Sequence, residues 1–77
     1  MNAKILLNSA AEYHGVTVEQ ILGHSRRKQV LRARDMFIWN AHHNDYSLND
    51  IGHAVNRHHS TIIAAERRMG LRRKEVQ

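Results

Sequence analysis

The sequence predicts an all-α fold, a small helical bundle containing a helix-turn-helix. Three observations lead there. The 77 residues include no proline, four glycines and only one Trp, two Tyr and one Phe, a breaker content too low for the turns of a β-sandwich or barrel. Apolar residues recur at helical intervals and do not alternate. Residue types that start or stop helices flank each apolar series.

Ile5, Leu6, Ala10 and Tyr13 mark a first helix over residues 3 to 14, with Gly15 as its stop. Thr17-Val18-Glu19-Gln20 has the form of a capping box, so a short helix follows to about Leu22 and ends at Gly23. The polar, basic stretch His24 to Gln29 reads as a loop. Val30, Ala33, Phe37 and Ala41, extended by Met36 and Trp39, then share a face of a longer helix reaching about His43. Asn44-Asp45-Tyr46 is turn-like. Ser47 with Asp50 begins a compact helix through Val55, in which Leu48, Ile51 and Val55 line one face and Gly52 permits close approach. A final helix carries Ile62, Ala65 and Met69. Two short amphipathic helices joined by a tight polar turn form a helix-turn-helix pattern. Phe37, Trp39, Ile51, Val55, Ile62 and Met69 are expected in the core.

Charge sets the expected partner. Twelve Lys and Arg face seven Asp and Glu. Eleven of those twelve fall in two blocks, Arg26 to Arg34 and Arg57 to Lys74, and the intervening Asp35 to Val55 holds three acids and no Lys or Arg. Segregated basic charge points to a polyanion. The chain forms one small domain, with residues 71–77 read as a flexible basic tail. A domain of this size has little room for a deep substrate cavity, so no enzyme activity and no small-molecule substrate are expected. No apolar run approaches the ~18 residues of a membrane span, so no membrane partner is expected either. Cysteine is absent, which suits a cytoplasmic protein. The seven histidines show no His-x-x-x-His or Glu-x-x-His spacing, so neither a metal nor another cofactor is expected.

Several segments, in order, carry a family resemblance. Asp50-Ile51-Gly52, a small turn and Arg57-His58-His59-Ser60-Thr61-Ile62 resemble the signature of the C-terminal DNA-binding domain of the bacterial replication initiator DnaA. Ala11-Glu12-Tyr13 with Val16 to Leu22 resembles that domain's opening. Ser25-Arg26-Arg27 with Val30 to Met36 resembles its basic loop and the following helix. The resemblance covers about residues 10 to 70 and implies a Trp-repressor-like fold, with double-stranded DNA as the partner. It implies base contacts in the major groove from Arg57, His58, His59, Ser60 and Thr61, and a minor-groove contact from Arg32 in the basic loop, where a narrow groove attracts a guanidinium. Arg26, Arg27, Lys28, Arg34, Ser47 and Arg67 are the expected phosphate contacts.

The sequence departs from the family pattern in three places. His58 replaces a usual Asp, Asn56 stands in a shortened turn where the family has a glycine pair, and Ala33 replaces a proline. No Gly-x-x-x-x-Gly-Lys-Ser/Thr phosphate loop occurs. The expected function is therefore sequence-specific binding of DnaA-box-like duplexes, regulating replication initiation or transcription without ATPase activity, in a cytoplasmic, nucleoid-associated protein. A transcriptional regulator with an unrelated operator, and an adaptor binding replication or transcription proteins, stand as the alternatives.

Overall fold

The computed structural model describes residues 2–73. Five helices follow one another: α1 (Ala3–His14), α2 (Val18–Leu22), α3 (Lys28–His43), α4 (Leu48–Ala54) and α5 (His59–Arg68). The local signals read from the sequence set most of their ends. Gly15 closes α1 in the left-handed region at φ 67°, which an L side chain rarely adopts. Thr17 and Gln20 form both halves of the capping box: the Gln20 amide donates to Thr17 Oγ1 at 3.1 Å, and the Thr17 amide donates to Gln20 Oε1 at 2.9 Å. The Ser47 hydroxyl accepts from the Asp50 amide at 3.0 Å.

The start of α3 differs from the expected boundary. The helix begins at Lys28 instead of Val30, because the Ser25 hydroxyl accepts the Arg27 amide at 3.3 Å and closes the loop early. The basic loop therefore ends at Arg27, and Arg32 stands on a helix.

Helix α3 is the organising element, with α1 packed along one side and α2, α4 and α5 also against it. Gln29 Nε2 donates to the His14 carbonyl at 3.4 Å, which brings the end of α1 to the start of α3. Phe37, Ile21, Ile51, Ile62, Val30 and Val55 are the largest fully buried side chains, each worth about 1.5–3 kcal/mol of burial.

The core differs from expectation at both aromatic ends. Trp39 is 46% exposed, and the neighbouring Ile38 takes the buried position. On α1, Ile5 and Tyr13 are 67% and 76% exposed, while Leu7, Ala10 and Ala11 form the buried face. Met69 is only partly buried. The Trp39 indole instead lies against the His43 ring at 3.9 Å, on the outer side of α3.

The expected tail begins with residues that are held. After α5, Gly70 turns the chain at φ 76° and the Leu71 amide donates to the Glu66 carbonyl at 2.8 Å. Arg73 then reaches back, donating from Nε and Nη2 to the two Glu66 oxygens at 3.0 and 2.7 Å and from Nη1 to the Tyr46 carbonyl at 3.0 Å. Glu66 is the one buried charged residue among those described, 4% exposed, and His42 Nδ1 lies 3.2 Å from its carboxylate. Residues 74–77 lie outside the described residues.

Candidate nucleic-acid interface

The turn between α4 and α5 is built on two backbone requirements. Asn56 sits at φ 56°, a left-handed conformation that Asn tolerates better than most residues. Gly52 lies under the turn, and its carbonyl accepts the Arg57 amide at 2.8 Å. A Cβ at position 52 would stand 2.6 Å from the Arg57 carbonyl oxygen. The close approach expected at Gly52 is to the turn's own backbone and, at 3.5 Å, to the His59 amide that opens the neighbouring α5.

This turn sets the opening of α5. His58 is the N-cap, and its Nδ1 accepts the Ser60 amide at 3.1 Å with Ser60 Oγ at 2.8 Å. His58, His59, Ser60 and Thr61 are all exposed, and the two imidazoles stack at 4.2 Å. Four consecutive polar side chains at the start of a helix form a surface suited to reading base edges, because the first turn of a recognition helix enters the major groove.

The basic residues divide into two kinds. Arg26, Arg27, Lys28 and Arg32 are exposed. Arg34 and Arg57 are half-buried and engaged with carbonyls at the end of α2. Arg34 Nε donates to the Ile21 carbonyl at 2.9 Å, and its Nη2 lies 3.4 and 3.3 Å from the Gln20 and Gly23 carbonyls. Arg57 Nη2 donates to the Gly23 carbonyl at 2.7 Å, and its Nη1 lies 3.3 and 2.9 Å from the Leu22 and Val55 carbonyls. The last carbonyls of a helix have no intrahelical donor, and α2 is so short that most of its carbonyls are of this kind. Burial, with the nearby Arg57 charge and against the pull of Asp35, lowers the Arg34 pKa from its ordinary value.

In this structure Arg34, from α3, and Arg57, from the turn before α5, both donate to backbone carbonyls at the end of α2, a structural role beside the phosphate and base contacts expected of them. Arg34, Arg57 and Thr61 line one cleft between α3 and α5, with Leu31 and Asp35. Arg68, at the far end of that cleft, makes a bidentate pair with Asp35 at 2.9 and 3.1 Å, a hydrogen bond that raises its pKa. Ser47 and Arg67 stand elsewhere. Arg67 borders a second depression with Leu48, the residue after Ser47.

The sequence alone assigns no structural role to Ser25, Glu66 or Arg73. Ser25 shapes the basic loop, and a Ser two residues before an arginine amide is a recognisable turn signal. The Glu66–Arg73 pair depends on the Gly70 reversal and has no comparable local signature. Among the described residues no group of three or more His, Cys, Asp or Glu is placed to hold a metal, and no helix is long and apolar enough to cross a membrane.

The family model of the bacterial dnaA protein helix-turn-helix matches residues 4–69 of the 77. The chain belongs to that family. In DnaA helix-turn-helix terms, α4 and α5 are the paired helices and α5 is the recognition helix. The loop before α3 is the basic loop, and the match runs from α1 to the end of α5, so it takes in every element described above. This is a DNA-binding helix-turn-helix domain, and a duplex is its partner.

Proposed function

We propose that this domain binds double-stranded DNA sequence-specifically at DnaA-box-like sites and regulates replication initiation or transcription there, in association with the nucleoid and without ATP hydrolysis. The observation that carries the reading is the exposed run His58 to Thr61 at the start of α5. It sits on a turn whose arginine is bonded to the start of the basic loop. The Arg57–Gly23 bond thus joins the base-reading turn to the chain just before Arg26, Arg27 and Lys28, with Arg32 following on α3. In this reading His58, His59, Ser60 and Thr61 face bases, Arg32 reaches the neighbouring minor groove, and Arg26, Arg27, Lys28, Ser47 and Arg67 face phosphates.

Titration of a DnaA-box duplex and a scrambled duplex at two salt concentrations tests the reading. The box binds more tightly, and log K falls with log salt at a slope of about −4 to −6 if roughly 4 to 7 phosphates are contacted. Equal affinity for the two duplexes overturns sequence-specific recognition. His59→Ala relaxes specificity, whereas Lys28→Ala weakens all sequences alike. A second reading, an operator distinct from the DnaA box, is favoured by His58, since an imidazole and a carboxylate present different hydrogen-bonding groups to a base.

A further inference from the structure

The cap on α5 constrains what His58 can present to a base. A backbone amide is only a donor, so the Nδ1 that accepts the Ser60 N–H at 3.1 Å carries no proton. The Ser60 hydroxyl, 2.8 Å from the same nitrogen, has its proton directed there too. A ring whose Nδ1 is a bare acceptor bears its hydrogen on Nε2. The two nitrogens lie on different edges of the ring. With Nδ1 turned into the first turn of α5, Nε2–H lies on the other edge of an exposed side chain, and both hydrogen bonds described for this ring are at Nδ1.

We propose that His58, fixed as the Nε2–H tautomer by capping α5, is a specificity-determining residue that rejects cytosine at one position of the bound site. This inference rests on the reading above, in which the start of α5 lies in the major groove. The chemistry follows from the base edges. Guanine O6 and thymine O4 are acceptors, and at the corresponding places adenine N6 and cytosine N4 are donors. An outward N–H pairs with guanine O6, thymine O4 or a purine N7, and cytosine alone offers it only a donor. A carboxylate at the same helix position, able to cap with one oxygen and accept from a base with the other, has the opposite preference. The amide that stabilises the helix start thereby sets the polarity of the base contact.

Selection from randomised duplexes, using the whole chain and its His58→Asp variant, tests this. Aspartate is a strong N-cap, so the variant retains the start of α5. Wild type selects against C at one position, by about fivefold or more relative to the preferred base. His58→Asp enriches C at that same position and leaves the others unchanged. If both proteins select the same base there, the inference falls while sequence-specific binding stands. If wild type enriches no sequence at all, recognition itself falls, and the inference with it. Nitrogen-15 NMR of the free protein supplies a second measurement that does not depend on DNA: the His58 ring shows the Nε2–H form, and an Nδ1–H form overturns the proposal.

Discussion

Arg34 and Arg57 donate to the same acceptor, the carbonyl oxygen of Gly23, at 3.3 and 2.7 Å. A residue from α3 and one from the turn before α5 thus meet at the first residue after α2. Two cations share one carbonyl because the short helix leaves several acceptors unpaired around it, and each guanidinium has enough N–H groups to serve more than one. Arg57→Ala takes the donor from the Leu22 and Val55 carbonyls and the shorter of the two bonds from Gly23, and lowers stability by about 1–3 kcal/mol. Denaturant midpoints measure that loss. Lys28→Ala, by contrast, leaves the midpoint in place and flattens the salt dependence of DNA binding by about one. An Arg57→Ala protein with an unchanged midpoint would show that the clamp does not hold the fold.

The reading turn makes a prediction at two positions. Gly52→Ala places a methyl group 2.6 Å from the Arg57 carbonyl oxygen and costs about 1–3 kcal/mol as the backbone shifts. Asn56 holds φ 56°, so Asn56→Gly is tolerated while Asn56→Ala costs about 1 kcal/mol. Thermal melts of the three variants check this, and equal melting of Asn56→Ala and Asn56→Gly would remove the argument from backbone conformation.

Arg73 and Glu66 make the third case. Glu66 is buried, and its Arg73 partner comes from the segment after α5. Removing one member of a buried pair leaves the other uncompensated, at about 3–5 kcal/mol. Arg73→Ala lies at or below the low end of that range, because Arg73 is itself partly exposed and His42 stays beside the carboxylate. The double change Glu66→Gln with Arg73→Ala recovers part of the loss, and chemical denaturation of the single and double variants measures the coupling. The exposed Arg68–Asp35 pair offers the contrast: Asp35→Asn costs about 1 kcal/mol at most.

Two neighbouring aromatic residues on α3 should behave very differently. Phe37 is fully buried, and Phe37→Ala costs about 3–5 kcal/mol. Trp39 is 46% exposed, and Trp39→Ala stays within about 1 kcal/mol of wild type. Guanidinium unfolding followed by circular dichroism separates them, and equal losses at the two positions would place Trp39 in the core after all.

The residues that were legible in advance act through neighbours in sequence. Gly15, the Thr17–Gln20 box and Ser47 each complete a bond within a few positions, so residue type and spacing suffice. Trp39 was misplaced because positions 38 and 39 flank the same helical stripe, and periodicity alone does not choose between them. The α2 carbonyls decide in favour of a structural role for Arg34 and Arg57, yet an arginine that grips a carbonyl has the same signature as one that grips a phosphate. Only the fold shows how close α2 ends to those two side chains. The return of Arg73 to Glu66 was hidden for a similar reason. A basic stretch after a glycine looks like a solvated tail until the buried carboxylate it reaches is known.

The clamp at Gly23 also has an electrical side. Arg68 and Arg73 face carboxylates, and each such pair is nearly neutral when seen from a distance. Arg34 and Arg57 face carbonyl dipoles, which carry no net charge to cancel theirs. Their positive field therefore persists beyond the protein surface, over the roughly 8–10 Å that salt allows at physiological strength. Through that field the same two arginines that hold the end of α2 raise the rate of first encounter with DNA.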